Sequence, residues 1–326
     1  MQNTLNAPRH FLSLQDLNRD ELDGILAEAK DIRSQVESRV FRGTKPLDRQ
    51  LVGFTTVKPS LRTSASIGFA ANYLGGSSKD LGPTSLTDKK NLKVREPLEH
   101  VTKVLEGQGY PFLFARVYED EDLHRMKKGR KSMHIINALS DTEHPLQALA
   151  DMQALQLARP DLQRPKVVFT GDGNNVATSL GQATVMEGGR FIHTGPESRK
   201  IPDKQWGEIE SLAKVYGGSA AYMQTPQEAV PDADLVYADV FTSMGQESEE
   251  ESLNRILEPY QVTQQLMDRA GPQALFGHCM PAKLGIEVTE EVFEGPQSIA
   301  ILIASCRMDT VAALMRFFSG QREGTR

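Results

Sequence analysis

Only two cysteines, Cys279 and Cys306, stand among 326 residues. They cannot build a disulfide framework, and without paired ligand spacing they offer no zinc site. No metal is expected, and a reducing, cytoplasmic setting is. No apolar run approaches the roughly 18 residues a membrane span needs. The opening stretch, Met1–Leu14, has no basic segment followed by an apolar core, so no secretory signal and no membrane partner are expected. Positive charge is not in excess: the net charge is −6, which argues against nucleic acid as a partner. An anionic substrate would need a local cationic pocket. Solenoid repeats and low-complexity tracts are missing. So is the third glycine of a dinucleotide fingerprint: Gly171-Asp-Gly173 is followed by Val176 at that place.

What is present is ordinary globular material, 39% hydrophobic and 25% charged, in a length that suits two domains. Helical spacing of Leu22, Ile25, Leu26, Ala29 and Ile32 marks a helix within Leu14–Arg39, with Asn18 or Asp20 as its cap. Gln50–Val57 reads as a buried strand, 58–64 as a loop, and Ala65–Leu74 as a helix closed by Gly75-Gly76. Residues 77–96 lack a period and read as a long loop of the kind that carries function. A helix over Pro97–Glu106 and strands over Pro111–Val117 and Met133–Ala138 follow, then a helix from His144 to Ala158. After a polar connector come strands at Lys166–Thr170, Phe191–Thr194, Asp234–Val240 and Ala274–His278, with a helix at Ala177–Glu187 and a last one at Met308–Phe318. Strands alternating with helices predict an α/β protein of two doubly wound parallel-sheet domains, its active site in the cleft between them and its boundary near residues 140–160.

Five clusters carry candidate chemistry. In Pro59-Ser-Leu-Arg-Thr63, backbone N–H groups at a helix start, two hydroxyls and a guanidinium could cradle a phosphate. An ordinary loop with a surface arginine is the other reading. His144 and Gln147 stand three apart at a helix start and can face one ligand, or the histidine can simply be satisfied in a turn. The paired asparagines of Gly171–Asn175 lie at a strand's carboxyl end, where they suit an amino-acid substrate or a turn. Asp239, at the next strand end in Asp239-Val-Phe-Thr-Ser-Met-Gly245, could hold an ammonium or cap a helix. Cys279, in His278-Cys-Met-Pro281, could be a nucleophile, a proton shuttle or packing.

Taken in order, these clusters resemble the aspartate/ornithine carbamoyltransferase family over nearly the whole chain. Ser60-Leu-Arg-Thr63 matches its S-x-R-T signature, His144-Pro-Leu-Gln147 its H-P-x-Q, and Phe114-Ala-Arg-Val-Tyr118 its arginine-bearing strand end. Gly171–Asn175, Asp239–Gly245 and His278–Pro281 match the G-D-x-N-N, D-x-x-x-S-M-G and H-C-L-P strings of the ornithine branch, with Met for Leu in the last. The resemblance implies a reaction between carbamoyl phosphate and ornithine, without any cofactor. It implies that Ser60, Leu61 through its backbone, Arg62 and Thr63 bind phosphate. Arg116, His144 and Gln147 would meet the carbamoyl end, and Arg307 would complete that pocket. Asn175, Asp239, Ser243 and Met244 would bind ornithine, with Cys279 and Asp239 beside the attacking amine. It also implies a homotrimer. The implied division is residues 1–145 plus helix 306–320 for carbamoyl phosphate, and 146–305 for ornithine.

The chain departs from the family at chosen places. Most relatives carry a second arginine where Ser64 stands. The string Arg62-Thr-Ser64, with Asn137–Thr142 and Val292–Ser298, is similar to the phaseolotoxin-insensitive ornithine enzymes. Losing that guanidinium should weaken a multiply charged phosphate mimic more than a substrate. Ser305-Cys306 precede Arg307 where the family shows Glu-Asn, Ala282 stands where many show Arg, and Asn91 where relatives place His or Arg. Two other functions stay open: a carbamoyltransferase for another amine, and a non-catalytic homologue that binds phosphate ligands.

Overall fold

A computed structural model describes residues 8–57, 60–82, 96–242, 248 and 250–323, with side chains up to 320. The described chain packs as two units. One holds the residues up to Leu146 together with those from Arg307 onward, and the other holds Gln147–Cys306.

The first unit opens with α1, Arg19–Ser38. Its cap is a reciprocal pair: Asn18 accepts from the Glu21 N–H while the Glu21 carboxylate accepts from the Asn18 N–H. This satisfies two N–H groups that a bare helix end would leave unpaired. Strand β1 (Leu51–Thr56) leads into α2 (Leu61–Tyr73), and β2 (Ser77–Asp80) follows. Next come α3 (Leu98–Gly107), β3 (Phe112–Arg116), α4 (Asp120–Lys127) and β4 (His134–Leu139), and then α5 (Pro145–Ala158), of which only Pro145 and Leu146 belong to this unit. The four strands pair in parallel in the order β2-β1-β3-β4.

The second unit repeats the scheme with β5 (Lys166–Thr170), α6 (Asn175–Met186), β6 (Arg190–Thr194), α7 (Asp203–Tyr216), β7 (Ser219–Met223), α8 (Pro226–Ala229) and β8 (Leu235–Ala238). Then follow α9 (Glu250–Leu257), α10 (Gln264–Ala270), β9 (Leu275–His278), α11 (Glu290–Phe293) and α12 (Ala300–Glu323), whose residues from Arg307 onward belong to the first unit. Its sheet is parallel in the order β7-β6-β5-β8-β9. The inner strands β5 and β8 are buried along nearly their whole length, as parallel strands covered on both faces must be. The fold class is therefore α/β with two parallel sheets, as the alternation of strands and helices predicts.

Each sheet has one point where the strand order reverses, between β1 and β3 in the first and between β5 and β8 in the second. Loops leaving neighbouring strands there diverge and open a crevice at the strands' carboxyl ends. In the first unit, the segment after β1 carries Ser60–Thr63, and β3 ends on Arg116. In the second, the segments after β5 and β8 carry Asn174 and Asp239.

Several elements differ from the sequence reading. Helix α2 starts at Leu61, not Ala65, because Ser60 caps it and draws the motif into the first turn. Residues 77–80 form an edge strand, although Ser-Ser-Lys-Asp has no apolar face: one partner strand and a mostly exposed surface ask for none. The final helix begins at Ala300, eight residues earlier than expected, so Arg307 lies within it. Its C-terminal part is tied to α1, with Arg33 Nε 2.8 Å from Asp309 and an Arg316–Glu28 ion pair. No helix among the described residues is long and apolar enough to cross a membrane.

Candidate active site

In the first unit the site grows from the start of α2. The Ser60 hydroxyl bonds the Thr63 hydroxyl at 3.0 Å and accepts from the Thr63 N–H at 3.5 Å. Thr63 is buried, whereas Leu61 is 84% exposed. A leucine so exposed adds nothing to the core; what its position supplies is a backbone N–H in a helix's first turn, where anions are stabilised. Ser64, half-buried, donates its N–H to the Ser60 carbonyl at 3.0 Å. Arg116 ends β3 directly beside Thr56 at the end of β1, so the sheet register carries the arginine toward the same loop.

His144 precedes α5 and is buried. Burial first, then the charges of Arg307, Arg116 and Arg62, push its imidazole well below the ordinary 6.5. The histidine is therefore neutral at physiological pH. It can hydrogen-bond a ligand without adding a fourth positive charge to three guanidiniums. Arg307, inside α12, is only 3% exposed, so its charge acts where water screens little. Ser60, Arg62, Thr63, Arg116, His144 and Arg307 thus all belong to the first unit, with the three arginines bearing on one imidazole.

The second unit gathers different chemistry. Asn174 caps α6, its side-chain oxygen accepting from the N–H groups of Val176 and Ala177. Its amide nitrogen donates to Asp239 Oδ2 at 2.7 Å. The other carboxylate oxygen, Oδ1, accepts from Val240 N–H at 2.7 Å and from the Cys279 thiol at 2.8 Å. The sheet explains the meeting: Thr170, Ala238 and His278 share one rank of the register, so Asp239 and Cys279 leave adjacent strands side by side. Asn175 opens α6, and Ser243 and Met244 lie outside the described residues.

The loop carrying Cys279 is held from behind. His278 Nδ1 accepts from Met280 N–H at 2.8 Å, and its Nε2 lies 3.2 Å from Glu287 Oε1, with both side chains fully buried. Donor atoms of Asp239, His278 and Cys279 approach within 4.8 Å of one another. These atoms are already engaged with Asn174, Met280, Glu287 and each other. Gly173 is required for a close approach, since a Cβ there would come within 2.2 Å of the Ile201 backbone nitrogen. Arg199 from that neighbouring segment bonds Asp172 at 2.8 Å, yet burial still holds the Asp172 carboxyl above its ordinary value.

Sequence reasoning passed over Asn174 as the partner of Asp239, choosing its neighbour Asn175. A cap preference for asparagine just before the helix was the available signal. It also passed over Glu287, which stands behind His278 in the support of the Cys279 loop.

Comparison with known proteins now bears on this arrangement. Residues 9–156 match the carbamoyl-P binding domain of aspartate/ornithine carbamoyltransferases, and residues 163–318 match their Asp/Orn binding domain. An ornithine carbamoyltransferase of Hyperthermus butylicus is 37% identical over 315 residues, covering 94% of this chain and 96% of its own. One from Thermococcus kodakarensis is 34% identical over 314 residues, covering 96% and 97%. The solved ornithine carbamoyltransferase of Pyrococcus furiosus superposes with a TM-score of 0.88 at 34% identity, covering 96% of this chain and 98% of that one. Two family domains in series, relatives at this identity over the full motif order, and the same parallel two-sheet architecture lead to one assignment: this chain belongs to the aspartate/ornithine carbamoyltransferase family.

Proposed function

We propose that the chain transfers the carbamoyl group of carbamoyl phosphate to the side-chain amine of L-ornithine, giving L-citrulline and phosphate. The observation that carries the reading is the neutral His144 set among the charges of Arg62, Arg116 and Arg307, in a unit matching a carbamoyl-P binding domain. Three guanidiniums suit a dianionic acyl phosphate, and an uncharged imidazole suits a carbonyl. In this reading Ser60, the Leu61 backbone, Arg62 and Thr63 hold the phosphate. Arg116, His144 and Gln147 hold the carbamoyl end, and Arg307 closes the pocket. Asn175, Asp239, Ser243 and Met244 hold ornithine, with Cys279 beside the amine.

The chemistry needs these groups. An alkylammonium titrates at about 10, so the δ-amine must be bound neutral or lose its proton before attack. Attack on the carbonyl forms a C–N bond and a tetrahedral oxyanion. Thr63, Arg116 and His144 are the donors for it, each worth about 3–4 kcal/mol if positioned in advance. Collapse breaks the C–O bond to phosphate, which leaves against Arg62 and Arg307 while the amine proton is lost. The anhydride is already activated, so orientation and fixed charge supply most of the acceleration.

Finer properties belong to the same proposal: a cytoplasmic homotrimer in arginine biosynthesis, resistant to phosphate-mimicking toxins because Ser64 replaces a guanidinium. So does the division into residues 1–145 with helix 306–320 for carbamoyl phosphate and 146–305 for ornithine. The decisive experiment supplies carbamoyl phosphate with ornithine, lysine or putrescine and measures carbamoylated product and phosphate. Citrulline and phosphate in equal amounts, with ornithine strongly preferred, is the expected result. Preference for another amine would redirect the substrate assignment. Binding of phosphate analogues with no product from any amine would make the chain a non-catalytic homologue.

A further inference from the structure

Two carboxylates, Asp172 and Asp239, stand at the carboxyl ends of the neighbouring strands β5 and β8, and each is only 8% exposed. Asp239 is met by uncharged donors: the Asn174 amide, the Val240 N–H and the Cys279 thiol. Asp172 is met by a cation. Arg199, in the connection between β6 and α7, donates from Nη2 to Asp172 Oδ2 at 2.8 Å. Arg199 and Asp239 are the charged groups that bear on Asp172. Burial raises its carboxyl first, Arg199 opposes the rise, and the like charge of Asp239 adds to it. Lys200, the next cation along the chain, is paired with Glu197.

The turn that carries Asp172 does not depend on the Arg199 side chain. The Gly171 N–H donates to the Thr194 carbonyl and the Gly173 N–H to the Arg199 carbonyl, each at 2.8 Å. A Cβ at Gly173 would come within 2.8 Å of that same Arg199 oxygen, so the two backbones are in close contact. Backbone therefore places the turn. What the guanidinium adds is a charge that cancels Asp172, so that Asp172 puts no net negative charge beside Asp239.

That cancellation bears on the choice of amine. Putrescine is ornithine with its α-carboxylate replaced by hydrogen. Both bring two ammonium groups, but only ornithine brings an anion. A lone Asp172 carboxylate would repel that anion in a poorly screened place, and a neutralised one does not. We propose that Arg199, acting through Asp172, is a specificity-determining residue that lets the second unit take an amino acid in preference to a diamine as the amine partner. The inference rests on the reading above, in which Asp239 and its neighbours hold that partner.

The test measures dissociation constants of ornithine and putrescine by calorimetry on the full chain, with phosphonoacetamide present. R199M should move their ratio toward putrescine by about tenfold at pH 8, the effect of one nearby uncompensated charge. The shift should shrink at pH 6, because the Asp172 carboxyl, relieved of Arg199, takes up a proton more readily. R199K keeps the charge and should keep the ratio within threefold. D172N leaves the guanidinium uncancelled and should move the ratio the other way, toward ornithine. R199M/D172N removes both charges and should return close to the wild-type ratio. A purely structural role would instead move both single variants in the same direction. If R199M fails to fold, the sign of the D172N shift decides. An unchanged ratio in R199M, shifts of the same sign in the single variants, or a double variant no nearer the wild type would overturn the proposal. Citrulline formation by the wild type separates the two ideas. Product with a ratio insensitive to positions 172 and 199 sinks this inference alone, whereas no product and no binding of either amine sinks both.

Discussion

At the switch point of the first sheet the chain gathers guanidiniums about a neutral imidazole, whereas at that of the second it gathers a carboxylate held by an amide and a thiol. The backbone scheme is the same in both: parallel strands, one reversal of order, and functional groups at the carboxyl ends. The opposite chemistry comes from the residues set at those strand ends and helix starts, joined in the first unit by Arg307 from within α12. Sheet topology fixes where a ligand can be met, and the loops fix which charge it must have. In the proposed reading, one unit serves an anion and the other a cation.

Breaking the anionic side should have the largest effect. Arg62→Ala removes a guanidinium from a site that also repels protons from His144. Loss of a charged contact to a phosphate is worth about 4 kcal/mol, so kcat/KM for carbamoyl phosphate should fall about a thousandfold. Steady-state kinetics at saturating ornithine would show it, and a change under tenfold would move the phosphate elsewhere.

Acid should strike both units, because each buries imidazoles that the fold keeps neutral. Burial is the leading cause in each case: it pushes His10 to about 4 in the first unit and His193 to about 4 in the second, while His144 lies well below 6.5. A depressed value means that the unfolded chain takes up protons first as pH falls. The stability is complete above 6.5 and is lost on descent toward 4, by roughly 3 kcal/mol for the fully buried His193 alone. Denaturant melts between pH 7 and 4.5 should track this fall, and His193→Gln should flatten it. A profile flat over that window would contradict the burial argument.

Asp239→Asn sharpens the contrast from the cationic side. It keeps the shape but removes the charge that Asn174, Cys279 and the Val240 N–H converge on. The account expects kcat/KM for ornithine to drop about a hundredfold, or roughly 2.7 kcal/mol, with carbamoyl phosphate binding altered less than threefold. The smallest effect on substrate belongs to Ser64→Arg. A returned guanidinium should tighten a multiply charged phosphate mimic about tenfold and shift the KM for carbamoyl phosphate less than threefold. Equal changes in both would remove Ser64 from any account of inhibitor resistance.

Much of the first site was legible because its residues are local in sequence. Ser60, Arg62 and Thr63 fall in one helical turn, and His144 and Gln147 in another. The alternation of strand and helix likewise announced the parallel sheets. What stayed hidden depended on partners far along the chain. The edge strand Ser77–Asp80 has no apolar pattern, since its pairing to β1 is backbone only and its side chains stay mostly exposed. Arg307, which the family resemblance named, bears on His144 from more than 160 residues later, and no periodicity or spacing in Ser305-Cys306-Arg307 signals it by itself. Asn174 was passed over for Asn175 because the sequence reading began the helix at Ala177, whereas it begins at Asn175 and makes Asn174 the cap that reaches Asp239. Tyr237 was not singled out within its strand, because its hydroxyl partner, Asp151, lies on a helix from another part of the sequence.

The division of labour is tested most directly by calorimetric titration of phosphonoacetamide into the wild type, Arg62→Ala and Asp239→Ala. An anion site independent of the carboxylate predicts affinity reduced at least a hundredfold in Arg62→Ala and unchanged within threefold in Asp239→Ala. Comparable losses in the two variants, or none in Arg62→Ala, would contradict it.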